Sequence, residues 1–110
     1  MNIEKQLDGA SLTIILSEPL GSGYAGELEA LLTNPDDAGK LTMLDGVEEL
    51  IVDIAAVEYI SSAGLRILLM MHKKMSAQGK MTIKNASSAA MAIFNIAGFT
   101  KFLTIEIIPE

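Results

Sequence analysis

Cysteine and tryptophan are absent from this chain, histidine occurs once, and aromatic residues make up 5% of it. Without cysteine there is no disulfide framework, no thiolate nucleophile and no zinc–sulfur centre. Positive charge is scarce too. Eight Lys and Arg stand against fourteen Asp and Glu, a formal net charge of −6 at pH 7. That balance argues against the basic stripe with which nucleic-acid binders displace counterions, and suits a partner of basic or mixed surface. Half of the residues are hydrophobic, yet no apolar run approaches the roughly 18 residues of a membrane span. The opening stretch MNIEKQLDGASL has no basic-then-apolar layout of an export signal, so a cytoplasmic location is expected, with no membrane insertion.

What is present is 110 residues, enough for one domain with a real core over residues 1–110. The chain is organised around Glu49–Met71, ELIVDIAAVEYISSAGLRILLMM. The continuous apolar run Leu50-Ile51-Val52 predicts a central strand buried on both faces, at about 48–54. After a turn comes a small polar knot, Ser61-Ser62-Ala63-Gly64, and then apolar residues at helical spacing. Ser61 and Ser62 sit where a helix needs an N-cap. The amides and dipole there also tolerate a phosphate. The helix is expected over about 63–78, with Gly79 as its stop. Leu65, Leu68, Leu69, Met71 or His72, and Met75 form its inner stripe; Arg66, Lys73, Lys74 and Gln78 look outward.

On either side the pattern is equally regular. Residues 2–7 and 11–17 alternate as strands, joined by Asp8-Gly9-Ala10 as a hairpin. Tyr24–Leu32 reads as a helix, with Leu28, Leu31 and Leu32 inward and Glu27 and Glu29 in solvent. The thirteen residues 34–46, stopped by Pro35, form a long polar connection, in part helical or functional. Lys80–Lys84 is a short strand. Ser87 or Ser88 caps a third helix ending at Gly98, and Phe102–Ile108 is a last strand at an edge. The result is an α/β fold: a mixed four- to five-stranded sheet with packed helices, the unit at 48–84 forming a right-handed parallel crossover.

The chemistry available is narrow. The hydrolase motif G-x-S-x-G is missing, since residues 60–64 read Ile-Ser-Ser-Ala-Gly. His72 follows Ser62 by ten residues on one helix, about 15 Å along its axis, too far to act as its base. Asp53 is a single carboxylate, Asp36-Asp37 reads as a solvated turn, and Gly21-Ser22-Gly23 lacks the residues of a phosphate-binding loop. Met70, Met71, Met75 and Met91 lie at core spacing and are read as packing. No catalysis, metal or cofactor is expected.

Residues 50–68, LIVDIAAVEYISSAGLRIL, resemble the signature of the STAS domain family, the bacterial anti-sigma factor antagonists. Its pattern is an apolar strand ending in Asp, a turn, an aromatic residue, and (D/S)-S-(S/A)-G-L at a helix start. Asp53, Tyr59, Ser61, Ser62, Ala63, Gly64 and Leu65 match it here. Ser87–Phe102 resembles the family's third helix and terminal corner, and the element order agrees across nearly the whole chain.

The resemblance implies a single STAS-like domain acting as an anti-sigma factor antagonist, with Ser62 as a phosphorylation site. The unmodified protein would bind an anti-sigma factor that is also a serine kinase, phosphorylation would release it, and a serine phosphatase would reset the cycle. The implied docking face comprises Glu18, Leu20, Gly21 and Ser22 after the second strand, Glu58 before the knot, and Ser61, Ser62, Ala63, Gly64, Leu65 and Arg66 at the helix start. The family's usual Gly-x-Leu-Asp is Glu18-Pro19-Leu20-Gly21 in this chain. A second reading keeps the fold without the switch: a constitutive subunit of a lipid-transport ATPase or a ligand sensor, with Ser62 as a plain cap.

Overall fold

Asp8 pairs with Ser11 across Gly9 and Ala10, and Gly9 takes a φ of +61°. A positive φ at the first central residue is what a two-residue type II′ hairpin turn requires. This turn sets β1 (Ile3–Asp8) antiparallel to β2 (Ser11–Leu16). The computed structural model describes residues 3–33 and 40–108. Then follow α1 (Ser22–Leu32), β3 (Glu49–Asp53), α2 (Ser62–Ser76), β4 (Lys80–Ala86), α3 (Ser88–Ala97) and β5 (Thr104–Ile107), with 3₁₀ turns at Thr42–Leu44 and Phe99–Lys101. Pro35, Asp36 and Asp37 lie outside the described residues.

The five strands lie in the order β1-β2-β3-β4-β5, and every pair after the hairpin is parallel. Each helix therefore carries the chain one strand further in the same direction, and right-handed crossovers of that kind stack all helices on one side. Burial agrees. Leu12, Leu50 and Met81 are register partners, as are Ile14, Val52 and Ile83, and all six are buried. Phe94, Leu28, Ile67, Leu68 and Met71 from the helices are also fully buried.

One-sided layering corrects the reading of β3. It is central, but only Leu50 and Val52 are sealed; Ile51 is half-buried on the opposite face, in a row with Thr13 and Thr82. An apolar run without alternation predicts two covered faces, whereas here Ile51 is only half-buried, between its register partners Thr13 and Thr82.

α2 begins one residue earlier than expected and ends at Ser76. Gly79 is not its left-handed stop. A Cβ there would stand 1.9 Å from the Glu48 carbonyl oxygen, so glycine serves a close approach of two backbones, sealed by the Lys80 amide donating to that oxygen at 3.0 Å. Gln78 turns inward rather than outward: its Nε2 donates to the carbonyls of Leu44 and Val47 at 2.5 and 2.7 Å. Lys74 pairs with Asp45 beside it. Ile67, absent from the expected stripe, is fully buried, while Leu65, Leu69 and Leu31 are half-buried. At α3, Ser87 is the cap, accepting from the Ala90 amide at 3.1 Å, and Gly98 ends the helix at φ +79°.

Gly79→Ala is expected to lower unfolding stability by about 1–3 kcal/mol or more, the range for forced overpacking. Gly26→Ala, where a Cβ meets open space inside α1, is expected to raise it by roughly 0.5–1 kcal/mol. Urea midpoints of the two variants decide both.

Candidate functional site

The site grows from the C-terminal end of β3, the end of parallel strands where α/β proteins place their ligands. Asp53 turns the chain by accepting the Ala55 amide on Oδ1 at 3.0 Å. Ile54 and Val57 then dive into the core, and the Val57 amide closes on the Ile54 carbonyl. Glu58 and Tyr59 are left outside, Tyr59 with 56% of its surface exposed.

From Tyr59 to Gly64 the chain is bound to the loop before α1. Leu20 and Ile60 form a parallel bridge, with the Leu20 amide donating to the Tyr59 carbonyl at 2.8 Å and the Ser61 amide to the Leu20 carbonyl at 2.9 Å. The Ser61 hydroxyl donates to that same carbonyl at 2.9 Å and accepts from the Gly64 amide at 3.1 Å. Ser61 is thus the N-cap of α2. Gly64 completes the joint, because a Cβ there would fall 2.8 Å from both the Leu20 carbonyl oxygen and its Cγ. Gly21 precedes α1 as Ser61 precedes α2, so the two helix starts stand side by side.

Ser62 is the first residue of α2, is exposed, and makes no hydrogen bond with its side chain to any described residue. The two neighbouring serines have separate duties, and capping belongs to Ser61 alone. The amides of Ser62 and Ala63 have no acceptor among the described residues, whereas those of Gly64 and Leu65 are taken up by Ser61.

The residues expected on one face divide into three groups. Ser22, Glu58, Ser62 and Arg66 are exposed, and Arg66 Nη2 reaches Glu29 Oε1 on α1 at 2.6 Å. Leu20 and Gly64 are buried, so they shape the face from beneath and offer a partner no side-chain surface. Glu18, Gly21, Ser61, Ala63 and Leu65 are half-buried at its margin. Tyr59 was missing from the expected face. Its position in the motif, an aromatic just before the serine knot, was the available signal. His72 packs against Phe102 with tilted rings, centroids 5.1 Å apart, well along α2 from Ser62. Among the described residues no group of His, Asp and Glu is placed to hold a metal, and no helix is long and apolar enough to cross a membrane.

Residues 2–109 match the model of the STAS domain family. This chain is a STAS domain. A protein of Bordetella bronchiseptica named as a candidate anti-sigma factor antagonist, BtrV, is 29% identical over 101 residues, spanning 91% of this chain and 80% of its own length. Among solved structures, a candidate anti-sigma factor antagonist from Thermotoga maritima superposes with a TM-score of 0.75 at 11% identity, covering 94% of this chain and 85% of that one. A sulfate transporter family protein from Wolinella succinogenes gives 0.70 at 16% identity, covering 93% and 80%. At such identities the two structures show a shared fold. The STAS domain here has the five-stranded mixed sheet and three helices of that fold.

The split between the serines is measurable. Ser61→Ala removes the cap and the bond to Leu20, and is expected to cost about 1–2 kcal/mol of unfolding stability. Ser62→Ala is expected to stay within about 0.5 kcal/mol of the unsubstituted protein in the same urea titration.

Proposed function

We propose that this STAS domain is an anti-sigma factor antagonist whose docking face is switched by phosphorylation of Ser62. One observation carries the reading: the Ser62 hydroxyl is exposed at the mouth of α2 and has no structural duty, since Ser61 performs the capping. Unmodified, the face built on Glu58, Tyr59, Ser62, Arg66 and Ser22, with Glu18, Gly21, Ala63 and Leu65 at its margin, docks an anti-sigma factor that is also a serine kinase. Tyr59 is its anchor, an aromatic of the kind that dominates interface energetics. Holding the kinase withdraws it from its sigma factor, and the domain acts in the cytoplasm where transcription is controlled.

The kinase transfers the γ-phosphoryl group of ATP. A bond forms from Ser62 Oγ to phosphorus, the bond to the ADP oxygen breaks, and the hydroxyl proton passes to the kinase. The modified side chain carries a charge of about −1.5 to −2. The fold accepts it, because the unoccupied amides of Ser62 and Ala63 and the positive end of the helix dipole lie beside it. A partner packed over the same spot does not accept it. It has to bury a dianion beside Glu58, and an unpaired charge in an interface costs roughly 2–5 kcal/mol. That corresponds to a loss of between tens and thousands of fold in affinity, enough to release the partner. A serine phosphatase then delivers water to phosphorus, frees inorganic phosphate and restores the hydroxyl.

Incubation with a sigma-binding kinase and ATP is expected to place one phosphate on Ser62, located by mass spectrometry. In calorimetry, Ser62→Ala binds the kinase but is never modified, Ser62→Asp loses it, and Tyr59→Ala weakens it roughly tenfold or more. Equal binding by Ser62→Asp and the unsubstituted chain would falsify the switch, leaving a constitutive docking module.

A further inference from the structure

Among the described residues, one ion pair crosses the seam between α1 and α2. Arg66 Nη2 donates to Glu29 Oε1 at 2.6 Å, while Arg66 Nη1 lies 3.2 Å from the sulfur of Met70. The side chains are 59% and 25% exposed, so water and salt hold the pair loosely. The thioether of Met70 is a weak acceptor. Nothing in this arrangement fixes the guanidinium strongly where it is.

Arg66 stands four residues after Ser62 on the same helix. Side chains at that spacing share a helix face with Cβ atoms about 5–6 Å apart, and an acidic group four residues before a cation is the favoured order. An unmodified serine gives Arg66 no charge to seek. A phosphate there gives it nearly two negative charges and three acceptor oxygens, in a geometry a guanidinium meets with two parallel hydrogen bonds. The Glu29 carboxylate offers one negative charge.

We infer that Arg66 is a two-position arm, paired with Glu29 across the helix seam while Ser62 is unmodified and swung one turn back onto the phosphate once Ser62 carries one. The inference rests on Ser62 as the phosphoacceptor and adds the residue that receives the modification within the chain. The swing releases the ionic tether between α1 and α2 and takes the exposed cation off the docking face. Phosphorylation therefore alters that face twice, by the charge it adds and by the charge it removes.

The test uses the full chain with phosphoserine installed at position 62 during synthesis, so that no kinase is needed, and follows the ³¹P shift against pH at low salt. The second ionisation of free phosphoserine falls at about pH 6. Arg66→Gln is expected to raise it by about 0.3 of a pH unit or more relative to the unsubstituted phosphoprotein, through loss of the pairing cation. Glu29→Gln is expected to lower it, because the arm no longer has a competing carboxylate. Removing a cation or an anion near a phosphate shifts its titration in opposite directions by charge alone. The signature of the arm is therefore non-additivity: Glu29→Gln lowers the ionisation of the unsubstituted phosphoprotein by clearly more than it lowers that of the Arg66→Gln phosphoprotein. An Arg66→Gln titration that overlays the unsubstituted one, or an equal Glu29→Gln shift with and without Arg66, overturns the arm and leaves the phosphoacceptor assignment standing. Failure of any kinase to modify Ser62 removes that assignment and leaves the titration readable.

Discussion

The carbonyl oxygen of Leu20 is the point on which the face depends. It accepts from both the amide and the hydroxyl of Ser61, and its closeness to Gly64 excludes any side chain there. Two segments distant in sequence are thereby fixed to each other at the level where both helices begin. The Ser61 hydroxyl takes up the Gly64 amide, which would otherwise be left unsatisfied, and adds a second hydrogen bond to the Leu20 carbonyl. Everything at the surface above it, including the orientation of Tyr59, Ser62 and Arg66, is carried on that joint.

Adjacent serines carry different burdens: Ser61 caps α2 and Ser62 does not, which is what the proposed phosphorylation of Ser62 requires of a rigid frame. A hydroxyl that also caps its helix loses the cap when it is modified. Shifting the cap to Ser61 leaves Ser62 able to gain and lose a charged group while α2 keeps its first turn. The helix dipole and the two unoccupied amides favour the charge within the chain, and a closely packed second protein disfavours it. Under the proposed switch, those opposite preferences separate the stability of the domain from the stability of its complex.

Much of this was legible in the sequence because local chemistry and global arrangement agree. The Asp8-Gly9 turn, the alternation through Leu12, Ile14 and Leu16, the capping pairs Ser61-Ser62 and Ser87-Ser88 and the glycine at Gly98 each specify their neighbourhood, and the element order specifies the class. Which serine of each pair caps shows only in the structure. Ile51 was misread, because the unbroken apolar run Leu50-Ile51-Val52 implied two covered faces and nothing local to it says that the helices cover only one. Gln78 and Gly79 were misplaced for a related reason: helical periodicity has no knowledge of the Glu48, Leu44 and Val47 carbonyls that approach from another element. Leu20 was legible as part of the loop but not as its buried anchor. Arg66 read as an outward charge, and only the packing of α1 on α2 reveals that it has a partner at all.

The sequential strand order has a consequence for how the chain assembles. Strands that pair in space are consecutive along the chain, which is uncommon economy for a sheet that is mostly parallel, a class whose long-range pairings slow folding. A nascent chain is able to close its opening hairpin first and then add one strand–helix unit at a time at a single growing edge. Each interior strand waits only for the next strand along the chain, never for one several elements later, so a single unpaired edge is open at any time and only for the length of one strand–helix unit.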